Sequence, residues 1–149
     1  MKKTITCILL TAGLTGYLSA QTPVQDKSDK NSGKVIRMDK QMFLDNIFDY
    51  TSGSTNWKYK GEKPAVIDFY ATWCGPCRAL GPVLSELAKE YDGKIVVGKC
   101  DVEENDDLAA AYGVMSVPTL LFFKNGEPVE KKVGAMPKNK LKELFESLL

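Results

Sequence analysis

The chain of 149 residues contains no histidine. That absence excludes Ser-His-Asp and Cys-His catalysis and every site in which imidazole holds a metal. Chemistry is left to Cys, Asp, Glu, Lys, Tyr and backbone groups. Cysteine is sparse: Cys7, Cys74, Cys77 and Cys100. Only two of the four are closely spaced, so they do not read as a disulfide framework, and a chain of this length needs none. Four-coordinate zinc would require a second Cys pair or a His pair, so no metal and no cofactor are expected. An excess of either charge is also missing. The formal net charge is +1, and no basic block supports a nucleic-acid partner or a membrane-surface patch. With 44% hydrophobic and 26% charged residues, the composition is that of one globular domain with a sizeable core.

The N-terminus reads as an export signal. Lys2 and Lys3 precede the apolar stretch Ile5–Leu18, and Ser19-Ala20 supplies small residues for cleavage after Ala20. The stretch is short of the ~20 residues that span a bilayer, which disfavours the alternative, an uncleaved anchor. Cys7 leaves with the peptide. Gln21–Lys34 is polar and contains Pro, Ser and Gly, as a disordered tether does. The folded domain is expected over residues 35–149.

Strand and helix signals alternate from there. Val35–Met38 is a short strand. Asp39 can cap a helix to about Tyr50, with Met42, Phe43, Ile47 and Phe48 on one face. Thr51–Lys63 is a polar connection carrying Trp57 and Tyr59, read as core residues or a partner contact. Ala65–Tyr70 is apolar nearly throughout, like a strand buried on both faces. Cys74–Tyr91 has helical spacing, with Pro82 expected to kink it. Ile95–Cys100 is a strand and Asp101–Tyr112 an acidic-started helix ending at Gly113. Thr119–Phe123 and Pro128–Val133 flank Asn125-Gly126, a hairpin signal. Lys138–Leu149 closes the chain as an amphipathic helix.

The chemistry concentrates in Trp73-Cys74-Gly75-Pro76-Cys77. It follows a buried strand and opens a helix. A helix N-terminus offers unsatisfied N–H groups and partial positive charge, which favour a thiolate. Cys74, first and expected to be the more exposed, is the candidate nucleophile. Cys77 lies one turn on, within disulfide reach. Pro76 is tolerated because first-turn N–H groups lack intrahelical partners. Cys74 thiolate would attack a substrate disulfide, and Cys77 would then attack Cys74 to release reduced substrate.

From Ala65 onward the sequence resembles the thioredoxin family. The matching residues are Asp68-Phe69-Tyr70-Ala71-Thr72-Trp73-Cys74-Gly75-Pro76-Cys77, Val117-Pro118-Thr119, Phe123-Lys124-Asn125-Gly126 and Val133-Gly134, in the family's order and spacing. The resemblance implies an α/β thioredoxin fold: a mixed central sheet in the order β-α-β-α-β-α-β-β-α, with helices on both faces. It implies that Asp68 is the buried acid handling the proton of Cys77 and that Lys99, on the neighbouring strand, modulates it. Pro118 would follow a cis bond, leaving the Val117 backbone to pair with an extended substrate. Trp73, Gly75, Pro76, Val117, Pro118, Gly134 and Ala135 would outline a shallow substrate groove. The sequence departs from the family in Tyr70, where many relatives carry a second Trp, and in the length of Thr51–Lys63. Cys100 is left without a partner, as a small core residue or else a reactive thiol or a dimer link.

The function expected is a thiol–disulfide oxidoreductase, a protein-disulfide reductase acting on exported proteins in the periplasm. Its partners would be disulfide-containing clients and an electron donor, either a membrane thiol–disulfide carrier or a thioredoxin reductase-like protein. A monomer is expected. The alternatives are a disulfide oxidase or isomerase for newly exported proteins, and a thioredoxin-fold binding subunit without catalysis.

Overall fold

The computed structural model describes residues 33–51 and 63–149. The expected export signal, most of the tether, and Trp57 and Tyr59 lie outside these residues. The elements run β1 (Ile36–Arg37), α1 (Lys40–Asn46), β2 (Ala65–Tyr70), α2 (Gly75–Glu90), β3 (Val96–Asp101), α3 (Asp106–Ala111), β4 (Thr119–Lys124), β5 (Glu127–Val133) and α4 (Lys138–Leu148). The sheet order is β1-β3-β2-β4-β5. β3 runs parallel to β1 and β2, while β4 runs antiparallel to both β2 and β5. This is the mixed α/β sheet the sequence implied.

Helices on both faces explain why β2 is apolar at nearly every position rather than at alternate ones. On the face covered by α2 and α4, Val66, Val97, Leu120 and Phe122 pack with Leu80, Leu84, Leu87, Leu141 and Phe145. On the other face, Ile67, Phe69, Cys100, Leu121 and Phe123 pack with Phe43, Ile47 and Leu108. Each fully buried side chain of this size contributes about 1.5–3 kcal/mol from burial. β3 crosses the second cluster at Gly98, where a Cβ would lie 3.0 Å from Ile67 Cδ1 and 3.1 Å from Met38 Cε. The β4–β5 hairpin turns on Asn125 (φ 53°) and Gly126 (φ 86°), the left-handed pair that matches the twist of its strands.

Two helices differ in extent from the expectation. Asp39 does cap α1, its carboxylate accepting from the Met42 N–H at 2.8 Å, but α1 ends at Asn46. Ile47 and Phe48 are nevertheless buried, so their spacing recorded burial rather than continued helix. α3 begins at Asp106, not Asp101. Asp101 closes β3 opposite Tyr70, and its carboxylate accepts from the Glu103 N–H at 3.0 Å. Short polar side chains in Asp101–Asn105 bond the local backbone and build a turn in place of the first helical turns. Pro82 lies within α2, which continues through it as one helix.

Because β2 and β3 are parallel neighbours, the segments leaving their C-terminal ends lie side by side. Such ends of α/β sheets carry ligand sites.

Candidate active site

Cys74 occupies the N-cap of α2 with extended backbone (φ −78°, ψ 110°). Its Sγ accepts the Cys77 backbone N–H at 3.2 Å. The sulfur therefore sits where a Ser or Asp oxygen would cap a helix, facing N–H groups and the positive end of the helix dipole. The two cysteines are joined: S–S 2.08 Å, Cα–Cα 5.3 Å. Cys74 was expected to be the more exposed of the two. It is not: Cys74 is 3% and Cys77 5% exposed. The pair is covered by Ala71, with Tyr70, Val102 and Val117 packed against it. What distinguishes Cys74 is its place at the cap.

Asp68 is buried in β2 on the face that α2 covers, and its Oδ1 has no hydrogen-bond partner among the described residues. Burial raises its pKa to about 7, and the positive charge of Lys99 pulls in the opposite direction. Lys99 is its register partner on β3. The Lys99 ammonium lies 4.8 Å from the Tyr70 ring centroid, within cation–π range. Tyr70 thus offers Lys99 an aromatic face. A cavity of about 420 Å³ opens between β2, β3, α2 and the start of the domain, lined by Asp68, Lys99, Leu84, Ser85 and Lys34 among others.

The other expected site residues fall into two groups. Val117 is packed against the Cys pair, the Val117–Pro118 bond is cis, and Pro118 is buried. The Pro118 carbonyl accepts from the Gly134 N–H at 2.8 Å, where φ is 90°. That sign of φ is cheap only for glycine. Trp73, Gly75, Pro76 and Ala135 are exposed. Trp73, 67% exposed, is held through its indole N–H, which donates to Glu103 Oε1 at 3.1 Å. Sequence reading missed Val102 and Glu103. The signal was indirect: pairing β2 with β3 in parallel puts the residues after Asp101 beside those after Tyr70.

Cys100 is fully buried beneath α1 and α3, on the other face of the sheet from Asp68. Burial pushes its thiol up to about 12. It is a core residue and not a reactive thiol. Among the described residues no group of acids and cysteines could hold a metal.

A helix-capping dithiol at the C-terminal edge of a mixed sheet is the redox-active centre of a thiol–disulfide oxidoreductase. Residues 53–147 match the family model described as Thioredoxin. A thioredoxin of Staphylococcus epidermidis is 56% identical over 84 residues, covering 56% of this chain and 81% of that protein. A thioredoxin of Staphylococcus saprophyticus has the same identity and coverage. A mutant thioredoxin from Halobacterium salinarum NRC-1 has a solved structure that is 40% identical, with a TM-score of 0.64, covering 79% of this chain and 93% of that one. The chain belongs to the thioredoxin family.

Proposed function

We propose that this chain is an exported thioredoxin that reduces disulfides in proteins outside the cytoplasm. The observation that carries its chemistry is the capping position of Cys74 Sγ on α2. With the dithiol reduced, Cys74 thiolate attacks a client disulfide, forming one mixed disulfide and expelling one client thiolate. Cys77, as thiolate, then attacks Cys74 Sγ. The Cys74–Cys77 bond forms, the mixed disulfide breaks, and the client leaves with both electrons and two thiols. Asp68, with a pKa of about 7, takes the Cys77 proton before the second attack. Lys99 modulates that acid from the adjacent strand. The client segment lies extended along Val117 and Pro118, between Trp73, Gly75 and Pro76 on one side and Gly134 and Ala135 on the other.

Export is supported by Lys2, Lys3, the apolar Ile5–Leu18 and Ser19-Ala20. An exported reductant works in an oxidising space, so a membrane thiol–disulfide carrier would return Cys74–Cys77 to the dithiol. A cytoplasmic chain would draw on a thioredoxin reductase-like donor instead.

Cys77→Ser tests the assignment of roles. It leaves the first attack intact and removes the second, so it should accumulate client proteins bound through Cys74, visible as bands released by dithiothreitol. Cys74→Ser should accumulate none. Trapping through Cys77 in the Cys74→Ser variant would reverse the roles.

A further inference from the structure

The segment Gly113–Val117, between α3 and β4, carries the backbone that meets the client, and it lies in neither helix nor strand. It is tied down at separate points. Near its downstream end the Gly134 N–H donates to the Pro118 carbonyl at 2.8 Å, and the Thr119 hydroxyl donates to the Ser116 carbonyl at 2.7 Å. At its upstream end the Gly113 N–H donates to the Ala110 carbonyl at 3.0 Å and the Val114 N–H to the Ala109 carbonyl at 2.8 Å, and a side chain from β5 adds a hold on the carbonyl side. Lys131 Nζ donates to the Tyr112 carbonyl at 3.1 Å and to the Gly113 carbonyl at 2.5 Å.

Tyr112 is the C-cap of α3. Its carbonyl is among those a helix leaves without internal partners, and a cation there is favoured by the helix dipole. Gly113 follows with φ 58°, so the chain changes direction at the point where the ammonium binds. The Tyr112 ring packs edge-on against Phe43 at 5.3 Å and Phe123 at 5.7 Å, giving the clamp a fixed base. Beyond it the segment projects, with Met115 96% exposed. Lys131 forms no ion pair among the described residues, whereas the adjacent Lys132 pairs with Glu130 at 3.2 Å. The three donors of an ammonium serve two carbonyls at once.

We propose that Lys131 is a positioning residue for client docking: by holding the start of Gly113–Val117 it keeps the Val117 backbone where an extended client can pair with it. This rests on the docking role given to Val117 above. Lys131 touches neither sulfur nor client, so its loss should weaken docking of a polypeptide and leave thiol chemistry intact.

The test compares Lys131→Gln, Lys131→Arg and Lys132→Gln with the parent in two assays. One is steady-state reduction of insulin disulfides with dithiothreitol as electron donor. The other is the reaction of the pre-reduced protein with 5,5′-dithiobis(2-nitrobenzoate), a small disulfide that needs no strand pairing. Lys131→Gln should raise KM for insulin about fivefold, with kcat and the small-disulfide rate unchanged. Lys131→Arg should restore KM, since a guanidinium also donates to two carbonyls, and Lys132→Gln should match the parent. An unchanged KM in Lys131→Gln, an equal loss in both assays, or the same rise in Lys132→Gln would overturn the clamp. A parent that reacts with the small disulfide but not with insulin would overturn the docking role and the clamp together.

Discussion

Burial holds the Asp68 carboxyl at a pKa of about 7, against an ordinary value of 3.8. Between those two values the folded protein keeps a proton that the unfolded chain gives up. Unfolding then releases a proton, so stability falls as pH rises through that window and levels off above it. The loss is complete at pH 8 and on the order of 4 kcal/mol. Asp68→Asn removes the titration. Its urea midpoint should stay nearly level from pH 4 to pH 8, where the parent declines, and it should exceed the parent at pH 8. On the proposed mechanism the same change should slow release of the mixed disulfide by roughly 10- to 100-fold, since Asp68 is there the acceptor of the Cys77 proton. Stopped-flow Trp73 fluorescence would follow that step. A parent midpoint that does not fall between pH 4 and pH 8 would mean Asp68 ionises without penalty. Asp68 was legible at this scale through the family resemblance, which implied a buried acid at that place. The equal burial of Cys74 and Cys77 was not, because it comes from Val102 and Val117, residues distant in sequence that only the folded sheet brings over the pair.

At the scale of elements, the five strands and four helices of the described residues were legible as alternations of period and turn chemistry. The hairpin at Asn125-Gly126 and the cap at Asp39 lay within a residue or two of their expected places. The start of α3 did not, because Asp101–Asn105 satisfies its backbone through side chains. Asn105 shows what those residues do instead of capping. Although it precedes α3, its side chain caps nothing there. Its Oδ1 accepts the Lys40 N–H at 2.8 Å and its Nδ2 donates to the Asp101 carbonyl at 3.0 Å, so it ties the first turn of α1 to the end of β3. The residue is 5% exposed, and water cannot replace both bonds without rearrangement. Asn105→Ala should therefore destabilise by about 2–3 kcal/mol. Thermal unfolding at pH 7 would measure it, and a loss under 0.5 kcal/mol would mean that the two backbone groups find other partners.

For the whole molecule, the compartment decides the direction in which the dithiol runs. The sheet and the exchange between Cys74 and Cys77 are common to reductants and oxidants; the reduction potential of the pair separates them. The Gly75-Pro76 dipeptide and the lack of histidine leave the reduced state without the extra thiolate stabilisation that strong oxidants use. The mature protein should accordingly equilibrate with dithiothreitol or glutathione at a potential below about −230 mV. If it is exported as proposed, the chain recovered from the envelope should begin at Gln21, and Cys74–Cys77 should accumulate as the disulfide in cells lacking membrane thiol carriers. A dithiol that stays reduced in those cells would remove the carrier from the scheme. A potential above about −180 mV would reverse the assignment, making the protein a donor of disulfides to newly exported chains. Cys74 would then be attacked by client thiolates, and each ~30 mV between those limits corresponds to about 1.4 kcal/mol in the balance between dithiol and disulfide.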